Sequence, residues 1–219
     1  MPAAVWYNSS GGSILISCGR LAGAVTGSIH ADGGNATSGK PGCGGRVAVY
    51  QTVATDFGGY AGKITAYGGN NGLAGGSPSR SAGTVYLQPA GMDDYCGTVK
   101  IANNRSTVDG YYASGGVDLP VSRLCPDDVK VYRNTTFDIS NGGVLSLKAD
   151  VTIRELELTS TARLNLEGHT LTIKSHAHKK QKGWPKSWAT NCGIFPGKDA
   201  EGNPGKIVWE QWGLMIMVK

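Results

Sequence analysis

An internal repeat constrains this chain more than any other feature. Residues 27–35 (Gly-Ser-Ile-His-Ala-Asp-Gly-Gly-Asn) return as residues 62–70 (Gly-Lys-Ile-Thr-Ala-Tyr-Gly-Gly-Asn), thirty-five positions later. A third copy, residues 97–104 (Gly-Thr-Val-Lys-Ile-Ala-Asn-Asn), follows at the same interval, with Asn-Asn in place of Gly-Gly. Gly and Asn share a tolerance for positive φ, so a left-handed turn is expected at that point of each copy. A second series is interleaved with the first: residues 12–16 (Gly-Ser-Ile-Leu-Ile), 45–50 (Gly-Arg-Val-Ala-Val-Tyr) and 83–88 (Gly-Thr-Val-Tyr-Leu-Gln). Each unit is a glycine followed by a short run of period-2 alternation and then turn residues, the pattern of a short strand.

A strand therefore returns roughly every fourteen to twenty-one residues, a spacing that suits stacked repeats sharing one core. Alternation turns Ile29 and Ala31, Ile64 and Ala66, Val99 and Ile101 inward, with His30, Thr65 and Lys100 outward. The other series turns Ile14, Ile16, Val47, Val49, Val85 and Leu87 inward. On this reading Ile29, Ile64 and Val99 form one stack. Ile64→Ala then costs ~2–5 kcal/mol as a core truncation, whereas Thr65→Ala costs little. From about Val117 the strands continue but the glycines thin out, 22 of the 34 lying before Thr98. Alternating segments follow at 136–140, 144–147, 155–158, 163–166 and 170–173, punctuated by Asn141-Gly142-Gly143 and Glu167-Gly168.

The run from Leu156 to Ile173, Leu-x-Leu and then Leu-x-Leu-x-Gly-x-x-Leu-x-Ile, resembles the repeats of bacterial exported β-helices. Together with the Gly-rich units it is similar to the right-handed parallel β-helix class, the pectin-lyase-like superfamily. The likeness is closest to Gly-rich β-helical segments of large bacterial secreted or surface proteins. The resemblance covers about residues 11–173 and implies an all-β solenoid. The expected organisation is a single domain, residues 1–219, with Gly-rich repeats over 11–105, Gly-poor repeats over 117–173, a C-terminal loop cap over 174–204 and closing strands over 206–218. The same scaffold carries polysaccharide lyases, glycoside hydrolases, tailspikes, adhesins and inert stalks, so it does not by itself name a function.

Composition narrows the class. Charged residues are 17% and apolar residues 40% of the chain, against a usual charged share of about 25%, which excludes long solvated helices and a disordered chain. No apolar run approaches the ~20 residues of a membrane span. The net charge of +5 is modest, and no nucleic-acid-binding motif accompanies it. The opening residues lack the basic and apolar regions of a leader, which leaves a cytoplasmic protein or a domain cut from a longer exported one; the resemblance implies the latter, a segment of a larger parent protein that is extracellular or held at the cell surface.

No catalytic, metal or cofactor site is expected. Among the outward rows only Asp32 supplies a carboxylate, too few for a calcium site of 6–8 oxygens. Glu155 and Glu157 share one outer face at a spacing a glycosidase pair could use, but a solvated face has the same pattern. His176, His178 and Cys192 have zinc-compatible atoms without a familiar spacing. The segment 174–188 is strongly basic and ends in Trp184-Pro185-Lys186-Ser187-Trp188. Its Trp184, Trp188, Lys180 and Lys182 suit an acidic polysaccharide; equally, the segment suits a cap over the exposed sheet edge. The outward Tyr50, Tyr86 and Tyr67 complete the candidate ligand-binding set. Cys18 and Cys43 are expected to meet in a disulfide if the chain is exported. The functional expectation is a non-catalytic β-helix module, structural or glycan-binding, whose partners are a polysaccharide and the rest of its parent chain. The alternative is a polysaccharide-degrading enzyme.

Overall fold

The second and third units of the second repeat series open at a glycine where neighbouring backbones come too close for a side chain. A Cβ on Gly45 would lie 2.0 Å from the Gly12 carbonyl oxygen, and one on Gly83 only 1.8 Å from that of Gly45. The computed structural model describes residues 9–36, 41–70, 80–104, 122–124, 131–174 and 192–210. Its elements in chain order are β1 (Ser13–Cys18), β2 (Ser28–His30), β3 (Arg46–Gln51), β4 (Lys63–Thr65), β5 (Thr84–Gln88), β6 (Thr98–Ala102) and β7 (Ser122–Leu124). After a 3-10 turn at Val131–Asn134 come β8 (Thr136–Ser140), β9 (Val144–Leu147), β10 (Val151–Ile153), β11 (Glu155–Leu158), β12 (Arg163–Asn165), β13 (Thr170–Ile173), β14 (Gly193–Phe195) and β15 (Lys206–Trp209). The fold is all-β, and among the described residues its strands pair in parallel with one exception.

The interleaved repeats pair as copies of one another. β1, β3 and β5 lie side by side in parallel, with Ile14↔Val47↔Val85 and Ile16↔Val49↔Leu87 in register. β2 and β4 form a separate pair in which Ile29 stands opposite Ile64. Their inward residues make one core, centred on Ala31, Val47, Val49, Ala66 and Val85, with Ile14, Ile16, Ile29, Ile64, Phe57 and Leu87 around it.

In the second half the chain visits three sheets in rotation, pairing in parallel in each. β8, β9 and β10 enter the six-stranded sheet (β1-β3-β5-β6-β8-β11), the four-stranded sheet (β14-β12-β9-β7) and the three-stranded sheet (β10-β13-β15) in turn, and β11, β12 and β13 then do the same. A second, larger core fills the space between them, including Ile101, Phe137, Ile139, Leu147, Ile153, Leu164 and Leu166. Polar groups repeat with the strands: Asn165 Nδ2 donates to Ser146 Oγ at 2.9 Å on the neighbouring strand.

Four expectations need correction. Val99 does not join Ile29 and Ile64; it belongs to the second core. The cause lies between β5 and β6, where Pro89, left-handed Gly91 (φ 77°) and left-handed Tyr95 (φ 63°) reverse the chain, so β6 pairs with β5 antiparallel. Among the described residues the Gly-rich and Gly-poor repeats thus meet at an antiparallel junction. The Gly-Gly pairs are not left-handed either: Asn104 has φ 52°, but Gly33 and Gly68 serve close approach, a Cβ on them meeting the Gly42 and Arg80 carbonyl oxygens at 2.2 and 2.0 Å.

Cys18 and Cys43 are free thiols. Cys43 O accepts from Gly11 N–H at 2.8 Å, so the two cysteines lie at opposite ends of paired strands, about seven residues or ~23 Å apart along β1. Within the segment expected as a cap loop, Gly193–Phe195 is a strand paired with Arg163–Asn165, because its alternation lets Ile194 pack against the core. Of the expected closing strands, Lys206–Trp209 pairs with β13, and residues 211–218 lie outside the described residues.

These assignments separate core from surface. Ile139→Ala removes a fully buried side chain and is expected to cost ~2–5 kcal/mol. Leu15→Ser, at a position 74% exposed, is expected to shift stability by no more than ~0.5 kcal/mol. Urea denaturation of the two variants checks the contrast.

Candidate functional site

The antiparallel pairing of β5 with β6 sets Val85 opposite Lys100 and Tyr86 opposite Val99. Directly opposed residues project to the same side of a sheet. On one side buried Val85 belongs to the first core while Lys100 is exposed; on the other, Val99 belongs to the second core and Tyr86 packs against it. The buried face of the six-stranded sheet thus changes sides between β5 and β6. Where one core stops, the solvent face of the next strands begins, and the step makes a re-entrant corner.

On the first side this corner is a cleft of about 220 Å³. Thr65 and Tyr67 line it from the end of β4, and Lys100, Asp138, Ser140 and Asn141 line it from β6, β8 and the turn after β8. Lys100 and Asp138 are register neighbours on parallel strands, and Glu157 on β11 stands next to Asp138. Among the described residues, Lys100 and Asp138 have no ion-pair partner within 4.0 Å.

Behind the cleft, Asp32 organises the wall. Its Oδ2 accepts from the Thr65 hydroxyl at 3.0 Å and its Oδ1 from Tyr67 N–H at 2.6 Å. Thr65, expected outward, is instead buried at 8% exposure, because this hydrogen bond satisfies its hydroxyl. The same interval of thirty-five residues recurs in Gly68 N–H donating to Asn103 Oδ1 (2.8 Å) and Asn70 N–H to Asn35 Oδ1 (2.8 Å). Asn103 Nδ2 also donates to Arg80 O at 3.0 Å, tying the end of β6 to the first half. Burial chiefly, and the Asp32 charge second, hold the Tyr67 phenol above the usual tyrosine value of 10.0.

On the opposite side lies an aromatic shelf. Tyr50 and Tyr86, on β3 and β5, pack with ring centroids 5.5 Å apart and planes tilted by 56°. Tyr86 Oη donates to Gln88 Oε1 at 2.5 Å and accepts from Gly97 N–H at 3.1 Å; burial, partly offset by the Gly97 bond, raises its pKa. Ala48 stands between Leu15 and Tyr86 in register, so the shelf continues to the exposed Leu15 edge.

Of the expected ligand-binding residues, Tyr50 and Tyr86 come together, while Tyr67 stands on the other side of the sheet in the cleft. Trp184, Trp188, Lys180 and Lys182 lie outside the described residues, as do His176 and His178. Glu155 and Glu157 do share the outer face of β11. Sequence reasoning passed over Asp138, Ser140 and Asn141. The alternation of Thr136–Ser140 already turned Asp138 and Ser140 outward, but nothing local revealed Lys100 beside them.

No protein family, no curated protein and no solved structure matches the chain. Among the described residues no helix is long and apolar enough to cross a membrane, and no group of three or more His, Cys, Asp or Glu side chains is placed to hold a metal.

Asp32→Asn is expected to bring the Tyr67 pKa down toward 10.0, read from the tyrosine Cζ resonance by NMR. With the folded value raised, stability is fully present below the unfolded value near pH 10 and is lost as pH rises through the folded one, so the variant should lose less stability than the parent above pH 10.

Proposed function

We propose that this chain is a non-catalytic, glycan-binding module of a larger secreted or cell-surface protein, wound as a parallel β-helix. What supports the winding is the rotation of β8–β13 through three sheets, with parallel register kept from each strand to its copy. What supports glycan binding is the aromatic shelf, the single observation that carries the reading. Rings half-exposed on the face of three in-register parallel strands offer flat apolar surfaces to the C–H faces of sugar rings, and Tyr86 is locked by two hydrogen bonds, so little rotamer entropy is lost on binding. Arg46, exposed on β3, adds a donor for hydroxyl or acidic groups on the same face.

The alternative, a polysaccharide-degrading enzyme, draws on one observation: Asp138 and Glu157 are register neighbours on the outer face, two carboxylates on adjacent strands of the kind a glycosidase pairs. That face is a row on adjacent strands with Lys100 beside Asp138, and the cleft itself takes in Asp138 but not Glu157, so the pair does not straddle a substrate as acid and base must.

The two readings separate in one assay. On an array of neutral and acidic polysaccharides the purified chain is expected to bind without generating new reducing ends, and Tyr50→Ala to weaken binding at least tenfold while leaving the fold intact by circular dichroism. New reducing ends that vanish in Asp138→Asn would make it the enzyme instead; unchanged binding by Tyr50→Ala would remove the shelf as the site.

A further inference from the structure

The cleft faces away from the aromatic shelf, and its chemistry points to a second, smaller ligand. Its volume of about 220 Å³ falls below the ~300–1,000 Å³ of sites for drug-sized molecules; it admits about one sugar-sized ring. Its exposed lining is mainly polar, with a smaller apolar share from Ile64 and Ala102 beside the buried Ala66 and Val85. Many polar groups around a small apolar patch match a pyranose, which presents a rim of hydroxyls and a C–H face.

The walls supply both halves of each hydroxyl's hydrogen bonding. Thr65 has its hydrogen committed to Asp32, so its oxygen is left as an acceptor. Asp138 adds a carboxylate acceptor, Lys100 an ammonium donor, and Ser140 and Asn141 groups that do both. Tyr67 adds a phenol that is protonated at neutral pH and can donate and accept. The charges are balanced: Lys100 contributes one positive charge and its register neighbour Asp138 one negative. A site with both signs side by side gives an anion no net attraction, unlike an arginine or lysine cluster. Thr65 and Tyr67 are positioned from behind by Asp32, so part of the wall is organised before any ligand arrives.

We propose that this cleft binds one uncharged hexopyranose ring, either a free sugar or the terminal residue of a neutral glycan. The ring's hydroxyls are shared among Asp138, Asn141, Lys100 and Thr65. The site is separate from the shelf, so it stands whether or not the shelf binds a polymer.

The test titrates the full ¹⁵N-labelled chain with methyl glucoside, methyl galactoside and methyl mannoside, and with the corresponding sodium uronates, following amide shifts. At least one neutral glycoside is expected to bind with a Kd of about 1 mM or tighter. Its shifts should be confined to residues 64–67, 100–102 and 138–141, and affinity should change less than twofold between 50 and 500 mM NaCl, because no net charge is being neutralised. Asp138→Asn and Ser140→Ala, both surface substitutions whose spectra report an intact fold, should each weaken binding about tenfold, while Tyr50→Ala leaves it unchanged. A reducing disaccharide and its methyl glycoside binding as well as the single ring assigns the chain-end source; binding of the single ring alone assigns the free sugar. The proposal is overturned if no neutral glycoside shifts these residues, if a uronate binds tenfold tighter and loses that advantage in Lys100→Gln, or if the shifts map to Tyr50 and Tyr86.

Discussion

The pairing of β5 with β6 governs the shape of this molecule. Among the described residues every other paired strand runs parallel to its neighbour, in a register that sets apolar residue beside apolar residue, so that apolar side chains stack on one side. At this junction the direction reverses, and Val85 comes to stand opposite Lys100. Since side chains alternate strictly along a strand, a core built on Val85 and Leu87 cannot continue through Thr98 and Lys100; it must resume through Val99 and Ile101 on the other face. One hydrogen-bonded sheet therefore serves two cores, and each side of it carries a step. The cleft and the aromatic shelf are those two steps.

Close backbone contact makes the first core possible. The fully buried residues at its centre are small or short, Ala31, Ala66, Val47, Val49 and Val85, and such side chains pack to interior density only if the strands and their connections approach closely. The glycines at 33, 45, 68 and 83 are where that approach happens, each facing a carbonyl oxygen at a distance no Cβ could occupy. The second core reaches the same end differently, with Leu, Ile and Phe filling a wider space, and needs fewer glycines. The shift in glycine content along the sequence thus follows the change from a thin core to a thick one.

Polar side chains then link successive copies. Asp32, Asn35 and Asn103 each accept from a backbone N–H thirty-five residues away, so the repeat interval is written into the hydrogen bonds as well as the apolar stacks. Asn103 matters most for function, since it binds both Gly68 N–H and Arg80 O and holds the two halves at the corner where the cleft forms. The third copy of the repeat, although its strand has left the stack of the first two, still caps the second copy through Asn103. Half of the repeat relationship survives the reversal.

Local sequence determined that this chain is all-β, where its strands begin, which of their residues alternate inward, and which segments are copies that pair in register; Ile29 beside Ile64 and Ile14 beside Val47 follow from the repeat alone. It also turned Tyr50 and Tyr86 outward, and they meet. Only the tertiary structure decided that Val99 belongs to a different core from Ile64, that Thr65 is buried on Asp32, that Cys18 and Cys43 stand at opposite ends of their strands, and that Lys100 comes beside Asp138. The physical reason is that period-2 alternation describes a strand equally well whether its neighbour runs parallel or antiparallel. Direction of pairing depends on how Pro89, Gly91 and Tyr95 turn the connection and on which apolar face finds partners, and those are properties of the assembled chain.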